Sequence, residues 1–266
     1  MNLQVPVTEE EWMVKMNEFS IMWNFPCCGA MDGKHVVIQC PNKSGSYFYN
    51  YKKTFSIILF AIVDANYNFI YIDVGRNGRN NDALVFSEST FNTALNKMKL
   101  NLPNTGLFVG DDAFPLRNYL LKPYSTTNRS LTVQQRVFNY RLSRARRIVE
   151  NAFGILASRF RVFHKPVDLL IDTIDLLVHA TCVLHNWLRQ NSKSNMPYIT
   201  EDVIQIESLE EGRVISGKHY EKARDVFKDI KVTSTNNYSK NAAQLRDELA
   251  EKFCTSDPVP WQWKMI

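Results

Sequence analysis

The chain has 266 residues, 45% hydrophobic and 12% aromatic, enough to bury a full core, and a formal net charge of +5. Residues 113–167 hold eleven Lys or Arg against one acid, Glu150; this local +10 leaves −5 for the remainder and suits an anionic partner on one face. The five cysteines, Cys27, Cys28, Cys40, Cys182 and Cys254, fit neither a disulfide framework nor a zinc-ribbon spacing and point to a reducing compartment; no signal-type segment opens the chain, and the longest apolar run, Phe55 to Val63, is too short to span a bilayer.

In chain order, Thr8 and Glu11 have capping-box spacing, and Trp12, Met16 and Phe19 then recur on one face, predicting an amphipathic packing helix. Three β-type runs follow, Cys27 to Gln39, Thr54 to Val63 and Asn68 to Val74, the last two joined by a turn-rich link of hairpin length. A polar loop, Gly75 to Asp82, leads into a helix expected over Ala83 to Leu100. Leu107 to Val109 reads as a short buried strand ending at Gly110-Asp-Asp112, where carboxylates emerge from a sheet edge. From Tyr140, Leu142, Ala145, Val149, Ala152, Phe153, Leu156 and Phe160 mark one face of a long helix with Glu150 on its margin. A last core helix is expected near Asp172 to Gln190, then a mixed-charge tail with a helix at Lys240 to Phe253.

Three leading antiparallel strands, a helix, a fourth strand and a late helix form a mixed α/β sheet of ribonuclease-H-like type, with an acid on the first strand, one after the fourth and one on the late helix. Asp32, Asp111 and Glu150 could together supply the hard oxygen shell that two divalent ions need at a phosphodiester.

At these residues the chain resembles the catalytic domain of PIF/Harbinger transposases and the nucleases derived from them, a branch of the DDE endonuclease superfamily. The resemblance rests on Gly29 to His35, Asn50-Tyr-Lys52, Asp73-Val-Gly75 with Asn81-Asp82, Val109 to Leu116, Phe138 to Gly154 and Val183 to Asn186, and it continues through Ala243 to Phe253 and Pro260-Trp-Gln262. It implies a divalent-metal-dependent DNA endonuclease with Asp32, Asp111 and Glu150 as catalytic metal ligands, Mg²⁺ or Mn²⁺ as the metal, and DNA as substrate. Arg141, Ser143, Arg144, Arg146 and Arg147 would hold phosphates beside the cut. It also implies a nuclear location, with the cytoplasm as alternative, and a Myb-like partner protein that assists DNA recognition. The helical region that usually precedes this catalytic domain in the family has no counterpart before Thr8, so borrowed specificity is expected. Residues 1–194 are expected to form the endonuclease domain and 195–266 a C-terminal extension.

Several residues admit two readings. Asp82 is a helix N-cap or a group behind the metal ligands. Asp112 competes with Asp111 by adjacency. His35 orients a ligand or touches DNA, or is a buried, hydrogen-bonded strand histidine. His179, Cys182 and His185 recur on the late helix without a suitable fourth ligand. Tyr47, Phe48, Tyr49 and Tyr51 read as core and sheet-edge aromatics, with base stacking as the other use. Two other functions compete with the nuclease: a catalytically silent, transposase-derived DNA-binding or scaffold protein, and a metal phosphoesterase acting on a smaller anion.

Overall fold

A computed structural model describes residues 3–126, 130–192, 197–209, 211–230 and 238–266. The capping box forms as expected: the Thr8 hydroxyl accepts the Glu11 N–H (3.2 Å), the Glu11 carboxylate accepts the Thr8 N–H (3.3 Å), and helix α1 (Glu9–Trp23) follows, burying Trp12 and Phe19. The three β-type runs become β1 (Gly29–Val37), β2 (Ser56–Val63) and β3 (Phe69–Asn77), an antiparallel meander. In the β2–β3 link the Asp64 carboxylate accepts the N–H groups of Asn66 and Asn68, each at 2.9 Å, which closes the turn.

The fourth strand, β4 (Phe108–Val109), pairs parallel to the start of β1, and a strand too short to carry a readable period, β5 (Leu120–Leu121), pairs parallel to β4. The order β3-β2-β1-β4-β5 is that of a ribonuclease-H-like sheet, the mixed α/β class predicted.

The helix expected over Ala83 to Leu100 is two helices, α2 (Asp82–Glu88) and α3 (Thr90–Asn96). Ser89 breaks it: its backbone is extended, and its buried hydroxyl donates to Phe86 O (2.7 Å) and accepts the Asn92 N–H (3.0 Å), closing one helix and capping the next. Helix α4 (Val133–Arg159) starts before Tyr140 because Thr132 and Gln135 form a second capping box. Helix α5 (Ile171–Asn191) lies on β3.

The C-terminal region contains a hairpin, β6 (Gln205–Ser208) and β7 (Arg213–Ser216), then α6 (Lys218–Arg224), β8 (Lys228–Asp229) and α7 (Lys240–Thr255), the helix predicted at 240–253. Helices α6 and α7 pack on α4, and β8 joins the main sheet beside Lys34 and His35, on the edge of β1 that β4 leaves open. One hydrophobic cluster fills the space between the sheet and α4, α5 and α7, around Leu59, Phe138, Leu142, Phe153 and Phe253. A second, around Met31, Phe60, Phe86 and Phe114, lies on the α2–α3 side. Among the described residues no helix is long and apolar enough to cross a membrane.

Candidate functional site

Strand periodicity decides the surroundings of Asp32. Residues 32 and 34 project from the same face of β1, so Lys34 stands beside Asp32, its ammonium 2.8 Å from Asp32 Oδ2 and 2.6 Å from Asp229 Oδ1 on β8. Asp32 Oδ1 accepts the N–H of Gly33 (2.9 Å). Burial opposes the Lys34 charge, but the two carboxylates outweigh it and hold the ammonium firmly protonated. Gly33 and His35 project from the other face. A side chain at Gly33 would collide with Asp82 and Ile230, so glycine is what admits the α2 carboxylate to the strand.

Asp82 is not the helix cap: the Asn81 side chain accepts the Leu84 N–H (2.9 Å), and Asp82 occupies the first turn of α2, buried. Burial, then the negative charges of Asp32 and Asp111, push its carboxyl well above the usual range. Asp111, just beyond β4, accepts the Ala113 N–H (2.8 Å); burial first and Asp32 second push it up to about 6, against the opposing pull of Arg146 and Lys34. Asp112 turns instead to Lys122 (3.1 Å).

Glu150 is engaged by Arg146 one helical turn earlier. Its carboxylate borders a cavity of about 270 Å³ that it shares with Lys34, Tyr220 and Asp229. The other arginines expected to contact phosphate also have protein partners. Arg141 is buried: its guanidinium donates to Asn24 O (2.8 Å) and to Asp257 O (2.6 Å) and lies 3.7 Å over the Phe253 ring. Arg144 pairs with Glu207 (2.9 Å), and Arg147, also buried, lies 3.8 Å from the same carboxylate. Of the predicted set only Ser143 has an exposed side chain.

A family model described as DDE superfamily endonuclease matches residues 31–186, more than half of the chain. The chain belongs to this family, in its PIF/Harbinger-like branch. It is 32% identical over 198 residues to "Protein ALP1-like" of Arabidopsis thaliana, covering 70% of this chain and 48% of that protein. It is 25% identical over 192 residues to "Putative nuclease HARBI1" of Mus musculus (69% and 52% covered) and 26% identical over 165 residues to the Rattus norvegicus protein of that name (59% and 44%). The chain thus spans about half the length of the curated relatives it matches. No solved structure matches it.

Family membership does not carry the expected metal chemistry with it. Among the described residues no group of three or more His, Cys, Asp or Glu is placed to hold a metal ion. The prediction of a Mg²⁺- or Mn²⁺-dependent, two-metal DNA endonuclease is therefore corrected, and with it the hydrolase, nuclease and metal-binding assignments. The geometry shows the reason. At two of the three acids the positive charge that metals would supply comes from the chain itself, from Lys34 at Asp32 and from Arg146, one helical turn away, at Glu150.

The other ambiguous residues are also placed. His35 faces away from Asp32; its Nδ1 shares a hydrogen bond with Ser56 Oγ (3.0 Å), and burial, then Lys52, push it down to about 4, so it is neutral near pH 7. His185 is buried between Tyr198 Oη (3.1 Å) and Tyr67 O (2.8 Å), and Cys182 is buried and free. Tyr47, Tyr49 and Tyr51 are exposed rather than core, while Phe48 packs against the core. Sequence reasoning passed over Lys34, although its spacing from Asp32 is readable. It also passed over Asp229, Glu207 and Asp257, which no local pattern marks.

Proposed function

We propose that this chain is a catalytically silent, transposase-derived DNA-binding or scaffold protein. The observation that supports it is the allocation of charge. Asp32 is paired with Lys34, Glu150 with Arg146, Arg141 with Asp257, and Arg144 and Arg147 with Glu207, all within the protein, whereas Lys52, Lys165, Lys222 and Lys228 form no ion pair among the described residues. Lys165, Lys222 and Lys228, with His164, line one open pocket of about 340 Å³ between the turn at Arg161–His164 and the α6–β8 segment; its one acid, Asp225, is already paired with Arg224 (3.7 Å). Lys52 lies within the fields of Asp229, whose carboxylate is already paired with Lys34, and of Lys228, beside the exposed Tyr49 and Tyr51. Unpaired cations with aromatics at their margin are the elements of a phosphate-tracking surface, and desolvating them costs less than breaking the internal pairs of α4.

In this reading the chain works on DNA in the nucleus, and a Myb-like partner contributes sequence specificity. The test is fluorescence anisotropy with a labelled duplex in EDTA over a range of salt, together with a cleavage assay on duplex and nicked DNA in Mg²⁺ or Mn²⁺. Binding without metal, weakening as salt rises, is expected. The triple variant Lys165→Ala, Lys222→Ala, Lys228→Ala should reduce the slope of log affinity against log salt by about 2–3. Metal-dependent cleavage that disappears in Asp32→Ala would overturn the reading, as would a duplex affinity indifferent to salt.

A further inference from the structure

Helix α5 buries Ile174, Val178, Cys182 and His185 against the sheet, and its opposite face carries exposed residues. That outer face carries Leu170 (80% exposed) at the helix start, then Thr173, Leu176 (69%), Ala180, Leu184 (47%) and Trp187 (46%) at spacings of three and four. These are the positions of one helical stripe, and none of them is charged. The helix's charged residues lie off the stripe: Asp172 is exposed at its margin in the first turn, Asp175 pairs with His179 (3.0 Å), and Arg189 donates to Asn66 O (2.7 Å). A solvent-facing helix normally carries its charges on this side, so the stripe has the composition of a contact surface.

We infer that the stripe is the interface for a second copy of this chain, α5 against α5, antiparallel about a two-fold axis at Ala180. The stripe is complementary to itself in that orientation only. Trp187 falls opposite Thr173, large against small, Leu176 opposite Leu184, and the alanine at the centre lets the helices approach closely. A parallel pairing would set Trp187 on Trp187 and leave a gap at Thr173. Antiparallel packing also brings each helix N-terminus beside the partner's C-terminus, so the macrodipoles attract. In area, the half-exposed Leu169 just before the helix, with Leu170, Leu176, Leu184 and Trp187, offers on the order of 500 Å² of exposed surface per copy, so at most about 1,000 Å² for the pair, the lower bound of a specific interface. The inference does not depend on the DNA-binding reading.

Analytical ultracentrifugation of the full chain from about 1 to 100 μM tests it. A concentration-dependent dimer is expected for the parent. Leu176→Glu and Leu184→Lys should each weaken dimerisation at least tenfold while leaving the circular dichroism melt unchanged, since both residues face solvent in the single chain. An equimolar mixture of the two variants should form a heterodimer, because the antiparallel register sets the introduced glutamate of one copy against the introduced lysine of the other and leaves Leu184 against Leu176 at the mirror position. A parent that stays monomeric at 100 μM overturns the proposal, and so does a dimer that both substitutions leave intact. Failure of the mixture to associate overturns the antiparallel register.

Discussion

Asp111 shows how neighbours rather than residue type set the behaviour of a carboxyl group. Burial and the nearby Asp32 raise it to about 6, whereas an unfolded chain titrates it near 4. Between those values the folded protein holds a proton that the unfolded chain has released, so stability must fall as pH rises through the window, by roughly 2–3 kcal/mol from this group. Asp111→Asn mimics the protonated form, so the variant should match the parent at pH 4 and exceed its stability at pH 7.5. Urea unfolding at both values measures this, and a variant that keeps the parent's pH slope would show that Asp111 is not the group responsible. Lys34 makes the related point about pairing. With Asp32 and Asp229 both on its ammonium, it stays charged despite burial, and the strand places it there merely by lying two residues from Asp32.

At the level of elements, the approach of α6 to α4 depends on Gly154, where a Cβ would stand 2.8 Å from the Tyr220 ring. Gly154→Ala should therefore displace Tyr220 and the C-terminal segment it anchors, at a cost of about 1–3 kcal/mol read from chemical denaturation, partly offset by the better helix propensity of alanine. A stabilised Gly154→Ala variant would mean that the ring moves freely and that α6 is not pinned there. Most elements were legible in the sequence because their signals are local. Thr8 with Glu11 announced α1, the short β-type runs and their bounding turns announced β1 to β3, and the stripe from Leu142 to Phe160 announced α4. The failures have equally local causes. Ser89 splits an apolar pattern that reads as continuous, because a serine hydroxyl that caps two helices leaves the hydrophobic period undisturbed. β5 and β8 are too short to have a period, and exist because β4 and β1 present open edges to them.

Across the whole molecule, the basic segment around Glu150 owes its character to acids far away in the chain. Glu207 serves Arg144 and Arg147, and Asp257 serves Arg141, so the C-terminal region neutralises these three arginines of α4 as well as packing on the helix. Glu207→Ala leaves two largely buried guanidinium groups without their carboxylate, and a loss of about 3–5 kcal/mol is expected in equilibrium denaturation. A loss under about 1 kcal/mol, the range of exposed pairs, would mean that water reaches these arginines and that they remain available to phosphate. By itself the sequence determined the family, the ribonuclease-H-like order of elements and the positions of Asp32, Asp111 and Glu150, since hydrophobic period, capping residues and motif spacing are all written along the chain. Only the tertiary structure decided what those acids face. An ion pair forms between groups brought together by folding, and Asp229, Glu207 and Asp257 reach their partners from segments whose local sequence carries no mark of the encounter.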